Sequence, residues 1–128
     1  MEQCVRVLIA DDHVHIRRGL QALLAAWPEI EVGGVAASSV EVLQLVEKCQ
    51  PDVVLMDIPP SGPAVSETDG VDRLEAIRFV KSRWPQVGIV VLTMYTTLWT
   101  VALAAGADAF LLKGCPAEAL RDALLKAG

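Results

Sequence analysis

The stretch PDVVLMD, residues 51–57, is a short apolar run that begins after a proline and ends in an aspartate. Strands that are buried on both faces of a sheet read as continuous runs of this kind, whereas half-exposed strands alternate. Similar runs, rich in β-branched residues, occur four more times along the chain. The sequence therefore predicts five buried strands, at residues 5–10, 30–36, 52–57, 87–93 and 108–112.

Helical patterns fill the segments between these runs. The first places five apolar side chains on one helix face: Ile16, Leu20, Leu23, Leu24 and Trp27. Ser38 and Glu41 form a capping box that opens a second helix. We expect a third helix at residues 71–84, a short Ala-rich fourth before Gly106, and a fifth starting at Pro116. Strict alternation of strands and helices predicts a doubly wound α/β fold.

Length and composition indicate a single globular domain over residues 1–128. The chain is 53% hydrophobic and 21% charged, with a net charge of -5. An acidic domain of this kind is not expected to bind nucleic acid by itself, because that requires a clustered basic surface. Asp11 and Asp12 interrupt the first apolar run too early for a signal peptide, and Gly106 breaks the least charged stretch. We therefore expect a cytoplasmic protein with no membrane span.

Polar residues end four of the five predicted strands. Asp11 and Asp12 follow the first strand, Asp57 ends the third, Thr93 ends the fourth, and Lys113 follows the fifth. The carboxyl ends of parallel strands meet at one edge of the sheet. Three carboxylates crowded there repel one another unless a cation lies between them. Carboxylate oxygens without His or Cys select Mg²⁺, Mn²⁺ or Ca²⁺, and of these we expect Mg²⁺. His13 and His15 are interpreted as solvated side chains outside this site.

Several motifs occur in a fixed order along nearly the whole chain: VLIADDH at 7–13, PDVVLMDI at 51–58, DG at 69–70, VVLTMYT at 90–96 and AGADAFLLK at 105–113. Together they resemble the receiver domains of two-component response regulators, and most closely the NarL/FixJ branch. The resemblance implies a flavodoxin-like (CheY-like) fold with five helices and strand order 2-1-3-4-5. It also implies a signalling phosphoacceptor rather than an enzyme with an external substrate.

The resemblance further implies a role for each site residue. Asp57 would accept a phosphoryl group from a sensor histidine kinase or a phosphotransfer protein. Asp12 and Asp57 would bind Mg²⁺ directly, Asp11 largely through water, and the main-chain carbonyl of Pro59 would complete the protein ligands. Thr93 and Lys113 would contact the phosphoryl group. Thr93 and Phe110 would act as switch residues that report phosphorylation. NarL/FixJ relatives usually continue into a C-terminal DNA-binding output domain.

Two spacings depart from the family pattern. Asp69 follows Asp57 by 69 − 57 = 12 residues, about five more than usual, and the extra residues form a Pro-rich loop. Lys113 follows Thr93 by 113 − 93 = 20 residues, which is about two fewer than usual and shortens the fourth helix region. That region has few charges, so Trp99 either fills space or belongs to an apolar surface. We expect a homodimer or an output-domain contact at the face formed by the fourth and fifth helices.

Two alternative functions are considered beside the receiver. A haloacid-dehalogenase-like phosphatase also uses Asp, Thr or Ser, Lys and Mg²⁺. It normally carries its nucleophile at the end of the first strand with a second Asp two residues later, and the adjacent Asp11 and Asp12 do not match that spacing. The second alternative is a pseudo-receiver, an interaction domain that works independently of phosphorylation. The sequence alone leaves that second alternative open.

Overall fold

A computed structural model of the chain describes residues 4–11, 13–58, 69–94 and 99–128. The strands in these segments are β1 (Val5–Ala10), β2 (Ile30–Ala36), β3 (Val53–Met56), β4 (Gly88–Thr93) and β5 (Ala109–Leu112). The helices are α1 (Val14–Ala25), α2 (Ser39–Cys49), α3 (Asp69–Arg83), α4 (Trp99–Ala105) and α5 (Ala117–Ala127). Each of the predicted strands and helices is therefore present, with bounds that differ by a few residues.

The five strands form one parallel sheet in the order β2-β1-β3-β4-β5. This order confirms the flavodoxin-like topology that the resemblance implied. The chain reverses its direction of travel across the sheet after β2, and it returns past β1 to place β3 beside it. The carboxyl ends of β1 and β3 consequently lie next to each other on either side of that reversal, where open α/β sheets place their functional sites.

The apolar runs are continuous because each strand supplies side chains to two cores. In β3, Val53 and Leu55 pack on the face covered by α1 and α5. Val54 and Met56 point the opposite way and pack beneath α2, α3 and α4. All four side chains are essentially inaccessible to solvent. Successive residues of a strand face opposite sides of the sheet, so a sheet with two covered faces needs an apolar residue at every position.

The helix ends follow the sequence signals with one correction. The Ser38 hydroxyl accepts a hydrogen bond from the Glu41 main-chain N-H at 3.2 Å, as the capping box predicted. The Glu41 carboxylate reaches back to the main-chain N-H of Ala37 at 3.0 Å. The expectation that α5 starts at Pro116 was wrong by one position. Pro116 has extended backbone torsions and is the N-cap, and Ala117 is the first helical residue.

Helix α3 begins two residues before its predicted start and orients its apolar residues in two directions. Ile77 and Val80 are buried in the core beneath α3, whereas the side chain of Phe79 is 49% exposed. Val80 is therefore a core residue, and Phe79 is not. In the segments that the structure describes, we find no helix long and apolar enough to span a membrane.

Candidate functional site

Main-chain hydrogen bonds align the strand ends that carry the candidate residues. The Asp57 N-H donates to the carbonyl of Ala10, which immediately precedes Asp11, at 2.9 Å. The Lys113 N-H donates to the Thr93 carbonyl at 2.7 Å. The sheet register thus fixes the backbone positions of these residues independently of any contact between their side chains. Lys113 keeps this alignment although the segment that leads to it from Thr93 is shorter than the family spacing.

Three of the predicted side chains form a buried ionic cluster. The Lys113 ammonium lies 3.2 Å from Asp11 Oδ2 and 3.1 Å from Asp57 Oδ1. The side chains are 1% exposed for Asp11, 7% for Asp57 and 15% for Lys113. A charged pair in such a protected position interacts more strongly than one at the surface, where water and salt screen it. Lys113 therefore bridges the carboxylates of Asp11 and Asp57, which follow separate strands.

His13 belongs to this cluster, contrary to the sequence interpretation that placed it outside. Its main-chain N-H donates to Asp11 Oδ1 at 2.8 Å, and its ring Nδ1 lies 3.2 Å from the same oxygen. Nδ1 is also 3.9 Å from Asp57 Oδ2. The Asp11 side chain bends back to the main chain two residues later, a local turn typical of Asp, and this turn directs His13 over the cluster. His15 is exposed, as expected.

Two further side chains hold the main chain that follows β3. The Thr93 hydroxyl donates to the carbonyl of Ile58 at 2.9 Å. The Arg73 guanidinium donates through Nη1 to the carbonyl of Asp57 at 2.6 Å. Arg73 is 1% exposed and was not predicted as a site residue. Its position in the sequence gives a usable signal, because it precedes the inward-facing Ile77 by four residues and therefore lies on the same helix face.

Phe110 is partly buried and packs against the core beneath α2, α3 and α4. It pairs with Val91 across the β4-β5 ladder. Asp12 and Pro59, which the resemblance assigns to metal binding, lie outside the described residues, as does most of the Pro-rich loop. The described site therefore consists of Asp11, His13, Asp57 and Lys113, with Thr93 and Arg73 contacting the adjoining main chain.

Comparison with known proteins identifies the family of the chain. Residues 7–125 match the family model described as the response regulator receiver domain. The chain belongs to this family. It is a receiver domain of the response regulator type, with relatives that are transcriptional regulators. The family generally transmits signals rather than converting external substrates.

Individual relatives place the receiver domain in the LuxR/NarL group. It is 39% identical over 118 residues to the uncharacterised transcriptional regulatory protein YhcZ of Bacillus subtilis, covering 91% of this chain and 51% of that protein. It is 35% identical over 125 residues to the transcriptional regulatory protein DegU of Brevibacillus brevis, covering 96% and 50%. The isolated receiver domain of RcsB from Salmonella enterica, solved with phosphomimetic BeF₃⁻, superposes with a TM-score of 0.79 at 25% identity, covering 98% and 91%. The chain spans about half the length of the curated relatives it matches.

Electrostatics distinguish Asp57 from an ordinary surface acid. Burial raises the pKa of the Asp57 carboxyl, and repulsion by the Asp11 carboxylate raises this pKa further. The charge and hydrogen bond of Lys113 act in the opposite direction, as does the charge of Arg73, but the net direction is upward. The surroundings of the Asp57 carboxyl group therefore disfavour its ionised form.

The geometry of the cluster suits a bound cation. Ligand atoms of Asp11, His13 and Asp57 all lie within 4.8 Å of one another. A cation among them would relieve the repulsion that raises the pKa of Asp57. The two carboxylates offer the hard oxygen ligands that Mg²⁺ prefers, while the imidazole nitrogen is better suited to transition metals. The residues present therefore fit a divalent metal ion.

We expect Asp57→Asn to raise the free energy of unfolding at neutral pH in the absence of divalent cations. The pKa of Asp57 is higher in the folded chain than in the unfolded chain, so its ionised form destabilises the fold. This destabilisation is absent below the unfolded pKa of about 3.9 and develops as the pH rises through the folded pKa. Urea unfolding at a series of pH values measures the difference. An Asp57→Asn protein that is no more stable than the wild type at neutral pH would contradict the expectation; Asp122→Asn, at an exposed position, is the control.

We expect His13→Ala to change which metals bind. The variant should bind Ni²⁺ about tenfold more weakly than the wild type, because Ni²⁺ favours imidazole ligands, and should bind Mg²⁺ within about twofold of the wild-type affinity. Isothermal titration of the metal-free protein with each cation measures both affinities. His15→Ala removes an exposed imidazole from the same segment and serves as the control. Equal loss of Ni²⁺ binding in the two variants would exclude His13 as a specific ligand.

Proposed function

We propose that residues 1–128 act as a single phosphoacceptor domain in which Asp57 accepts a phosphoryl group from a histidine kinase or phosphotransfer protein. The observation that carries this proposal is the contact of the Lys113 ammonium with both the Asp11 and the Asp57 carboxylates in a buried position. An Asp can attack phosphorus when positive charges neutralise the incoming phosphate. The family to which the chain belongs supports the same assignment. By the same family relationship, we place the protein in the cytoplasm.

Asp57 and Lys113 have distinct roles in the transfer. A carboxylate oxygen of Asp57 forms a bond to the phosphorus atom as the bond from phosphorus to the donor's imidazole nitrogen breaks, and the donor keeps that electron pair. The product is an acyl phosphate on Asp57. Lys113, already 3.1 Å from Asp57 Oδ1, pairs with a phosphoryl oxygen. When bound, Mg²⁺ would supply positive charge that neutralises the phosphoryl oxygens. We assign its ligands to Asp11, Asp12, Asp57 and the carbonyl of Pro59.

The signal leaves the site through Thr93. In the unphosphorylated domain its hydroxyl donates to the Ile58 carbonyl at 2.9 Å, so it is held next to the phosphoacceptor strand. We propose that this hydroxyl turns to the phosphoryl group once the acyl phosphate forms. Phe110 lies on the neighbouring strand β5 and changes its packing in response. A change of this kind biases a two-state domain without altering its fold.

The output of the receiver is proposed to be transcriptional. The curated relatives are transcriptional regulators about twice as long as the chain, which supports an association with a C-terminal DNA-binding domain. The receiver itself has a net charge of -5 and is not proposed to contact nucleic acid. A phosphorylation-independent interaction domain is the second candidate, and the receiver proposal is preferred because the ionic cluster is complete among the described residues.

The α4 surface, defined here as the exposed sides of Trp99 and Leu103, is proposed as the contact for a second copy of the chain. Trp99 is 57% exposed and Leu103 is 39% exposed, and the two lie on one side of the helix because they are four residues apart. Ala102 and Ala105 are the only buried residues of this helix, so Trp99 does not fill space in the core. Exposed apolar side chains clustered on one short helix are typical of interaction surfaces. Charged side chains of α5, which contacts the edge strand β5 from the opposite face of the sheet, would then form the polar rim.

Incubation with acetyl phosphate and Mg²⁺ tests the phosphoacceptor directly. Intact-mass analysis is expected to detect one labile phosphoryl adduct on the wild type, none without Mg²⁺, and none on Asp57→Asn. Asp122→Asn removes an exposed acid of α5 and should form the adduct normally. A folded wild-type protein that forms no adduct would exclude the phosphoacceptor function and favour the interaction domain.

Self-association is tested with the beryllofluoride-activated domain. Trp99→Ala is expected to weaken dimerisation by about tenfold or more, since large aromatic side chains dominate interface energies. Sedimentation equilibrium gives the dissociation constant. Val40→Ala is the matched control, because Val40 is 63% exposed but lies on α2. If Trp99→Ala and Val40→Ala dimerise as well as the wild type, the α4 surface is not the interface.

A further inference from the structure

Arg73 is one of the most completely buried large side chains of the domain. It is 1% exposed, and its neighbours on the inward face of α3 are Ile77 and Val80. A guanidinium stays protonated in proteins, so this position places a full positive charge inside the fold. Burial of a charge is costly unless hydrogen bonds and an opposite charge compensate it. The burial of the Arg73 charge therefore has to be explained by the groups that contact it.

The contacts of Arg73 compensate this charge only in part. Nη1 donates to the Asp57 carbonyl at 2.6 Å, but Nε is buried with no hydrogen-bond partner. Arg73 forms no ion pair with any carboxylate in the described segments. Its charge nevertheless acts on the carboxyl group of Asp57, whose pKa it lowers. Arg73 thus lies beneath the candidate phosphoacceptor with part of its charge uncompensated.

A second observation concerns the main chain between β3 and the following loop. Two consecutive carbonyls accept hydrogen bonds from side chains of two different elements. Arg73 of α3 donates to the Asp57 carbonyl, and Thr93 of β4 donates to the Ile58 carbonyl. Under the proposed function Thr93 leaves its carbonyl when the phosphoryl group arrives. Arg73 is then the side chain that continues to hold the phosphoacceptor backbone.

We propose that Arg73 is a positioning residue whose buried positive charge favours the phosphorylated state of the domain. This inference rests on the proposed phosphorylation of Asp57. Replacement of a carboxylate by an acyl phosphate adds negative charge next to Arg73, which stabilises the modified form more than the unmodified form. The same charge opposes a metal cation that binds without phosphate. Arg73 therefore favours the binding of anions at the site and opposes the binding of a metal cation without phosphate.

These opposite effects separate an electrostatic role from a purely structural one. Arg73→Met keeps most of the aliphatic stem and removes the charge. At saturating Mg²⁺, this variant should bind BeF₃⁻ about tenfold more weakly than the wild type. Without BeF₃⁻, it should bind Mg²⁺ about threefold more tightly, because a repelling charge has been removed. A damaged site would instead lose affinity for both ligands.

Two variants control the experiment. Arg73→Lys restores the charge and should bring both affinities to within about twofold of the wild type. Arg78→Met removes an exposed positive charge from the same helix and should change neither affinity. Titrations followed by the shift in melting temperature measure binding for every variant. Should Arg73→Met fail to fold, Arg73→Gln provides the same loss of charge with a polar group retained.

The results distinguish this inference from the function on which it rests. If the wild type forms no acetyl-phosphate adduct and binds no BeF₃⁻, the proposed function itself fails. If the wild type binds BeF₃⁻ and the charge-removing variant binds it equally well, only the role of Arg73 is overturned. Parallel weakening of BeF₃⁻ and Mg²⁺ binding would also overturn it, as would an Arg73→Lys protein that behaves like Arg73→Met. Weaker BeF₃⁻ binding together with tighter Mg²⁺ binding is the supporting result.

Discussion

The contact between the Lys113 ammonium and the carboxylates of Asp11 and Asp57 is the interaction on which the site depends. Two buried carboxylates at adjoining strand ends repel each other, and the raised pKa of Asp57 records part of that cost. Lys113 reduces the repulsion because it lies within 3.2 Å of both groups. It comes from β5, which is separated from β3 by β4. The ionic cluster therefore forms only when β1, β3, β4 and β5 have assembled in the correct order.

Most of the fold followed from the sequence because its apolar pattern has one consistent physical explanation. Continuous apolar runs such as Val53 to Met56 are stable only in a sheet with two covered faces, and the amphipathic segments between them supply the cover. The ends of the helices were harder to predict, since the same residue type can suit two neighbouring positions at a helix end. Pro116 satisfies the backbone preferences of both an N-cap and a first helical residue, and only its extended torsions decide between them.

The candidate site was predictable where chemistry coincides with a strand end and was missed where it does not. Asp11, Asp57 and Lys113 follow strands directly, so topology alone brings them together. His13 reaches the cluster through a turn of the Asp11 side chain, a feature of side-chain conformation that periodicity does not contain. Arg73 reaches the site from within helix α3, and Arg side chains on helices are ordinarily exposed. Its helical register with Ile77 marks it as inward facing, but residue type argued more strongly for the surface.

The position of Thr93 links the ionic cluster to the α4 surface. Its hydroxyl is held on the Ile58 carbonyl, and Trp99 follows it by only 99 − 93 = 6 residues. β4 is buried along its whole length and closely packed, so the strand itself resists a displacement of Thr93. Helix α4 contributes just Ala102 and Ala105 to the core, so it is anchored by two small side chains. Two small side chains bury little apolar area, so the core packing of α4 opposes a shift of this helix less than larger side chains would. Under the proposed function, phosphorylation of Asp57 would therefore act through Thr93 on the α4 surface.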